Sequence, residues 1–467
     1  MRNINDFSDK LNPMLVKELR QGLRGISFVT LFIAVQAFLC FILLITTAVA
    51  SQENTGHLIS RIIFFFFSMA VLVIQPLRGI SALSTEIKAD TIDLLCLTRL
   101  SAWRITFGKW ISIVSQSALI FTAIAPYLIL RYFFGDMQMF PEILLLMSTF
   151  FLSATFTAVT VGFSGMKSVI IRVLLPIFAA LWIFGAIWAA YFGGRYNFQE
   201  ILQMVTLTDA RSTFTFLGFL TGCTYAGWFC LDLGTTVIAP MAENRTTLRR
   251  LISLTLIILT VLAFSFAGIP ANVALVIGLV LCVPISVISL TENAHLVAPI
   301  VAVFTRKGSL GKIAGRLLYP GWATGMIFVL LLYLIMQGLL FFHTWGTDPS
   351  PWNTVVLNSV FAIVIFPLAL TRLFARKHEN RFGLFMLFLC TEILIVLIVF
   401  ACEEYSHNLD IMPFFFWVPT SYNFLDSFSS QSLVHASYLN LALYSLIALA
   451  TSLPVWKHIA EIESTTP

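Results

Sequence analysis

Along its 467 residues the chain presents run after run of mainly apolar sequence, each about 20 residues long and set off by short polar stretches. At 1.5 Å of rise per residue, a helix of that length crosses the hydrocarbon of a bilayer, and it satisfies its own backbone hydrogen bonds while doing so. The runs fall at residues 28–50, 62–77, 110–130, 143–163, 173–192, 214–238, 251–268, 273–290, 325–342, 354–370, 382–401 and 433–453. Ile269, Pro270, Ala271 and Asn272 leave room only for a tight hairpin between the seventh and eighth. The expected fold is therefore an all-α polytopic integral membrane protein with about twelve transmembrane helices. Hydrophobic residues make up 58% of the chain and charged residues 11%, against roughly 25% charged in soluble domains. A soluble enzyme is excluded on these grounds, and the residues left between the runs do not suffice for a large extramembrane domain.

Charge then orients the runs. If the N-terminus faces the cytoplasm, only Arg61, Arg131, Arg195 and Arg211 of the 28 basic residues fall outside, as expected because Lys- and Arg-rich loops resist translocation. The net charge of +5 thus reads as topology, with no call for nucleic acid as a partner. The first run lacks a small-residue cleavage pattern and reads as a retained anchor. The expected location is a bacterial inner (plasma) membrane, with both termini cytoplasmic. The seven cysteines show no paired spacing that would suggest a disulfide framework or a metal site.

Two of the basic segments carry more pattern than a connection needs. In residues 12–24, Asn12 can cap a helix and Pro13 suits its first turn. Leu15, Val16, Leu19 and Leu23 then share one face, opposite Lys17, Arg20, Gln21 and Arg24, as in a helix lying in the membrane interface. In the loop 78–109, Asp90 with Asp93 can start a short helix whose one side carries Ile87, Thr91, Leu94, Leu95 and Thr98. That apolar strip suits either the membrane surface or a docking protein.

Read together, Asn12-Pro13 with Lys17-Glu18-Leu19-Arg20, Glu86 followed by Thr91, Leu94 and Leu95, the run Leu97-Thr98-Arg99-Leu100-Ser101, and Gly108-Lys109 resemble the permeases of ATP-binding-cassette transporters of the type 2 exporter class. The resemblance covers roughly the first 250 residues, and the chain departs from it at Arg99, where members often carry proline. It implies an elbow helix with Asn12, Pro13, Lys17, Glu18 and Arg20 ahead of the first span. It also implies a coupling helix with Glu86, Thr91, Leu94, Leu95 and Thr98 that docks on a cassette-type ATPase subunit. Further partners implied are membrane lipids and a second permease or a second copy of the chain. ATP would act through the partner subunit, with no cofactor bound by this chain.

Residues 251–467 read as an additional six-span region, either of separate origin or a degenerate repeat. The loop 291–322 matches 78–109 in length, and Leu290-Thr291-Glu292 faintly echoes Ser84-Thr85-Glu86. The chain has no nucleotide-binding loop of its own: Gly108-Lys109 is followed by Trp110 and Gly311-Lys312 by Ile313, so neither fits G-x-x-x-x-G-K-[ST]. Gly162-Phe163-Ser164-Gly165 has the form of an intramembrane protease motif, but every histidine falls in a loop or at a span end, leaving no buried general base. Two acids stand inside runs, Asp232 and Glu392. Asp232 lies near the inner end of its run, within reach of interfacial water, while Glu392, near the middle of its run, suits either a proton or cation site or a protonated carboxyl hydrogen-bonded to a neighbouring helix. The functional expectation is a permease subunit, not itself an enzyme, that moves a hydrophobic or lipid-linked substrate with a separate ATPase. An ion-coupled secondary transporter and an integral-membrane lipid-modifying enzyme are the alternatives.

Overall fold

The computed structural model describes residues 13–49, 55–88, 101–132, 138–166, 169–192, 206–207, 210–239, 243–292, 296–344, 350–374, 381–406, 417–419, 421 and 430–465. Among these residues every regular element is helical. Ten helices are long and apolar enough to cross a membrane, or eleven with the bent pair at the N-terminal end taken as one span. The chain is an all-α polytopic membrane protein. It divides into two compact units at residues 240 and 241. The expected division lay ten residues later. The difference arises because Thr246, Arg249 and Arg250, at the start of the seventh span, are buried in the second unit.

The first unit opens with α1 (Pro13–Leu23) and α2 (Ile26–Val49), bent 55° from each other. The second span begins as α3 (Thr55–Ser68), widens into a π-helical turn at Met69–Ile74, and continues through Gln75–Leu77 and a 3-10 turn at Arg78–Ser81 into α4 (Ser84–Lys88). Its irregularity has an identifiable cause. In the π turn the Gln75 N–H donates to the Ala70 carbonyl, so the next residue would bond to Val71; Pro76 has no N–H to give. The Ser153 hydroxyl donates to the Val71 carbonyl at 2.6 Å instead, and Thr160 donates to the Pro76 carbonyl at 2.7 Å. Neighbouring side chains thus replace the missing ladder bonds, as hydrocarbon requires.

The unit is completed by α5 (Ala102–Tyr132), α6 (Met139–Phe163), α7 (Leu175–Phe192, after a π turn at Ile170–Leu174) and α8 (Ala210–Ile238). Phe28, Leu39, Phe64, Phe67, Ile120 and Leu146 lie in its buried core, while α7 turns Phe178, Leu181 and Trp182 outward, a face suited to lipid. Where α6 crosses α8 the contact is made by small residues. Gly162 lies against the backbone of Cys230, Gly234 against Gly162, and Gly227 against Ala158. Ser164 is fully buried there, its hydroxyl donating to the Val161 carbonyl at 2.6 Å and accepting from the Leu83 N–H at 3.0 Å. The protease-like sequence around it is thus a packing surface.

The second unit contains α9 (Arg245–Phe266), α10 (Ala271–Thr291), α11 (Ala298–Thr305), α12 (Gly308–Leu318), α13 (Trp322–His343), α14 (Pro351–Phe374), α15 (Arg381–Ser406) and α16 (Ser430–Thr465). The expected hairpin joins α9 and α10, with Gly268 in the left-handed region at φ +68°. Two expectations are corrected here. The stretch 291–322 holds two helices, and α16 runs about three turns beyond the expected end at residue 453.

The glycine contact yields a controlled comparison. A Cβ at Gly162 meets the Cys230 carbonyl, whereas one at Gly185 meets nothing within 4 Å. Gly162→Ala should force α6 and α8 apart at a cost of about 1–3 kcal/mol, seen as a lower Tm of the detergent-purified protein. Gly185→Ala should leave Tm unchanged or slightly higher. Equal Tm values for the two variants would contradict the packing described.

Candidate functional site

At the end of the first unit that carries α1, three separate elements converge on one side chain. The Lys109 ammonium, in the second turn of α5 and only 7% exposed, donates to a carboxylate oxygen of Glu18 on α1 at 3.1 Å and of Glu86 on α4 at 3.2 Å. The sequence places it there through periodicity. Ala102, Ile105, Thr106, Gly108 and Lys109 are buried on one side of α5, while Arg104 and Phe107 face out. The start of this helix is eight residues earlier than the apolar run alone predicts, with the Arg104 N–H donating to the Ser101 hydroxyl oxygen at 3.4 Å. Residues 78–88 likewise continue the second span. The expected 78–109 loop contracts accordingly to the stretch from 89 to 101.

α1 adheres to α5 along its length. Ser112 donates to the Glu18 carbonyl at 2.9 Å, and Gly22 lies directly against Ser112 and Gln116, an approach only glycine allows. Gln116 in turn accepts from Arg78, which also donates to Gln75 at 3.1 Å and lies 5.9 Å above the Phe28 ring. Lys17, Arg20, Gln21 and Arg24 are exposed on the opposite side, as the amphipathic pattern predicts. The turn between α1 and α2 closes through the Gly25 N–H and the Gly22 carbonyl at 3.4 Å. α1, the second span and the third span are therefore joined at this end through Glu18, Glu86, Lys109 and Ser112.

Of the residues singled out from sequence, Glu18 and Glu86 are brought together, while Lys17 and Arg20 face away from them on the same helix. Pro13 opens α1. Asn12, Thr91, Leu94, Leu95 and Thr98 lie outside the described residues. Asp232, on α8 of the first unit, is 1% exposed and Glu392, on α15 of the second, is 3% exposed. Sequence reasoning missed Lys109 as the shared partner, having read it only as half of a short motif. It also missed Gln75 and Gln116, although an amide inside an apolar run is itself a signal worth following.

The second unit has a comparable knot. Arg250, fully buried on α9, donates to the carbonyls of Leu317, Tyr319 and Gly321 at 3.1, 2.8 and 3.1 Å, to Thr324 at 3.2 Å and to the Glu292 carboxylate at 3.2 Å. Glu292 also accepts from Thr246 and from the Gly321 N–H at 3.3 Å. The segment 317–321 is thereby fastened to the first and second spans of its unit. Nearby, Tyr319 is buried, which pushes its phenol up to about 12.

Compared with protein families, with characterised proteins and with solved structures, the chain matches none. The fold and the two charged knots are thus the ground on which function is argued.

Removing the shared cation tests the first knot. Lys109→Met leaves Glu18 and Glu86 facing each other without a counter-charge, a loss of about 3 kcal/mol for a largely buried pair. α1 should loosen, and tryptic cleavage after Lys17, Arg20 and Arg24 in membranes should rise several-fold over wild type. Ser112→Ala removes one hydrogen bond, worth about 1 kcal/mol, and should change cleavage little. Unaltered cleavage in Lys109→Met would contradict the clamp.

Proposed function

We propose that the chain is the permease subunit of an ATP-binding-cassette transporter of the type 2 exporter class. A separate ATPase would dock on the segment between the second and third spans. The observation that carries this reading is the Lys109 clamp. A partner that pulls on Glu86 through its loop pulls at once on α1 and on the first turns of α5. Small displacements of the loop would thereby reach two membrane helices as a rigid-body motion, which is what a transporter driven from outside the bilayer needs. The sequence supplies no phosphate-binding loop, so the energy source in this reading is a partner.

The proposed setting is a bacterial inner membrane with the basic loops and both termini in the cytoplasm. The proposed cargo is hydrophobic or lipid-linked, as the resemblance to that class implies. Alternating access driven by ATP turnover on the partner is the mechanism that follows. The chain itself performs no chemistry in this scheme; it binds, moves and releases.

Leu94 and Leu95 supply the test. In this reading both bury against the ATPase, each worth about 1.5–3 kcal/mol, enough to weaken the interface tenfold or more when lost. Leu94→Asp combined with Leu95→Asp should abolish co-purification of the ATPase while accumulation in the membrane stays normal. Full retention by the double variant would remove the coupling assignment.

A further inference from the structure

The two units follow one packing plan. Let the six long helices of each be counted from its N-terminal end, the first unit's second span running from α3 to α4. In the first unit the first span packs on the second and third, and the second packs on the third, fourth and fifth. The fourth packs on the third, fifth and sixth, and the sixth also on the third. α9, α10, α13, α14, α15 and α16 repeat every one of these pairings. In both units the crossing of the fourth and sixth is the most extensive, while the fifth and sixth, neighbours in sequence, make no comparable contact among the described residues. Chain connectivity dictates contacts between consecutive helices. It does not dictate this shared set of non-consecutive ones.

The loops agree as well. In each unit one segment joins the second span to the third, residues 89–101 in the first and 292–321 in the second, and a Thr-Glu pair stands at or near the end of each second span, Thr85-Glu86 within α4 and Thr291-Glu292 at the end of α10. Each glutamate is held 3.2 Å from a buried cation, Glu86 by Lys109 and Glu292 by Arg250. The cation comes from the third span in one unit and from the first in the other. The acid has kept its place while its partner has changed, as expected of two copies that have diverged.

In the second unit this segment is the α11–α12 hairpin. One side is sealed: Ile300, Val301 and Tyr319 pack against Ile459 near the end of α16, and Arg316 bonds Glu463 at 2.8 Å. Gly311 and Gly315 of α12 are turned inward against Phe304 and Tyr319. What remains open is the other side of α12, where Leu310 is 79% and Ile313 60% exposed beside exposed Lys307 and Lys312. No acidic residue occurs from 293 to 347, whereas the first unit's segment carries Asp90 and Asp93, so what the two segments share is a pair of apolar side chains, Leu94 and Leu95 in one and Leu310 and Ile313 in the other.

We propose that residues 241–467 are a second permease half on the plan of the first, and that the Leu310–Ile313 face of α12 is a second docking surface for the same ATPase subunit. One copy of this chain then takes two copies of that subunit, one on each segment that joins a second span to a third. This rests on the reading that the segment 89–101 docks such a subunit.

Native mass spectrometry of the complex purified through a tag on this chain decides the matter. The wild type should show one chain with two ATPase subunits, and Leu310→Asp combined with Ile313→Asp should show one chain with one. Both positions are exposed, so the variant should accumulate normally. The milder Ile313→Ser should weaken retention of the second subunit several-fold on dilution. A wild-type complex of two chains with two subunits would overturn this inference and leave the permease reading standing. Two subunits retained by the double variant would overturn the α12 assignment in favour of a lipid-facing role. Absence of any ATPase from the wild type would overturn both this inference and the function on which it rests.

Discussion

Hydrocarbon offers a buried polar group no water to fall back on, so a buried charge or freed backbone group in these helices is costly unless the protein supplies a partner. That constraint explains details that otherwise look unrelated. Pro76 frees the Val71 carbonyl and Ser153 answers it; Lys109 is buried and two glutamates from different elements answer it; Arg250 is buried and four backbone or side-chain oxygens besides Glu292 answer it. Each answer ties together segments that are distant in sequence. The charged knots therefore fix how the spans of each unit are held at the end where its second span gives way to the segment leading to the third.

The knots also say what can move. α1 is joined to α5 by an ion pair, a hydrogen bond from Ser112 and a glycine contact at Gly22, so its easiest displacement is together with α5 rather than along it. Glu86 makes the second span part of the same body. Force applied to the connecting segment is then distributed over three elements instead of bending one helix end. In the second unit Arg250 gives the segment 317–321 a similar anchorage, and the Arg316–Glu463 pair adds the last helix to it.

Much of the architecture was legible in the apolar runs, because about 20 residues of hydrophobic sequence have few alternatives to crossing a membrane as a helix. Helix ends were less so. α5 begins at Ala102 because an amphipathic turn capped near Ser101 extends the apolar run, and hydropathy alone does not register such a turn. α12 escaped notice because Gly308, Gly311 and Gly315 look unfavourable for a helix; two of them are there to let Phe304 and Tyr319 approach. Glu18 and Glu86 were both singled out, yet their joint partner was not, since 91 and 23 residues separate Lys109 from them in sequence. The shared packing plan has only a Thr-Glu echo in the sequence, for packing between spans tolerates most apolar exchanges and so can keep a plan without keeping letters.

The account centres on a protein–protein contact at the segment after Glu86. A photo-activatable phenylalanine analogue at Leu94, irradiated in native membranes and followed by mass spectrometry of the adducts, tests it without disturbing the clamp. The account predicts covalent capture of a subunit that carries a phosphate-binding loop of the form G-x-x-x-x-G-K-[ST]. Adducts formed only with lipid, or only with this chain itself, would contradict it.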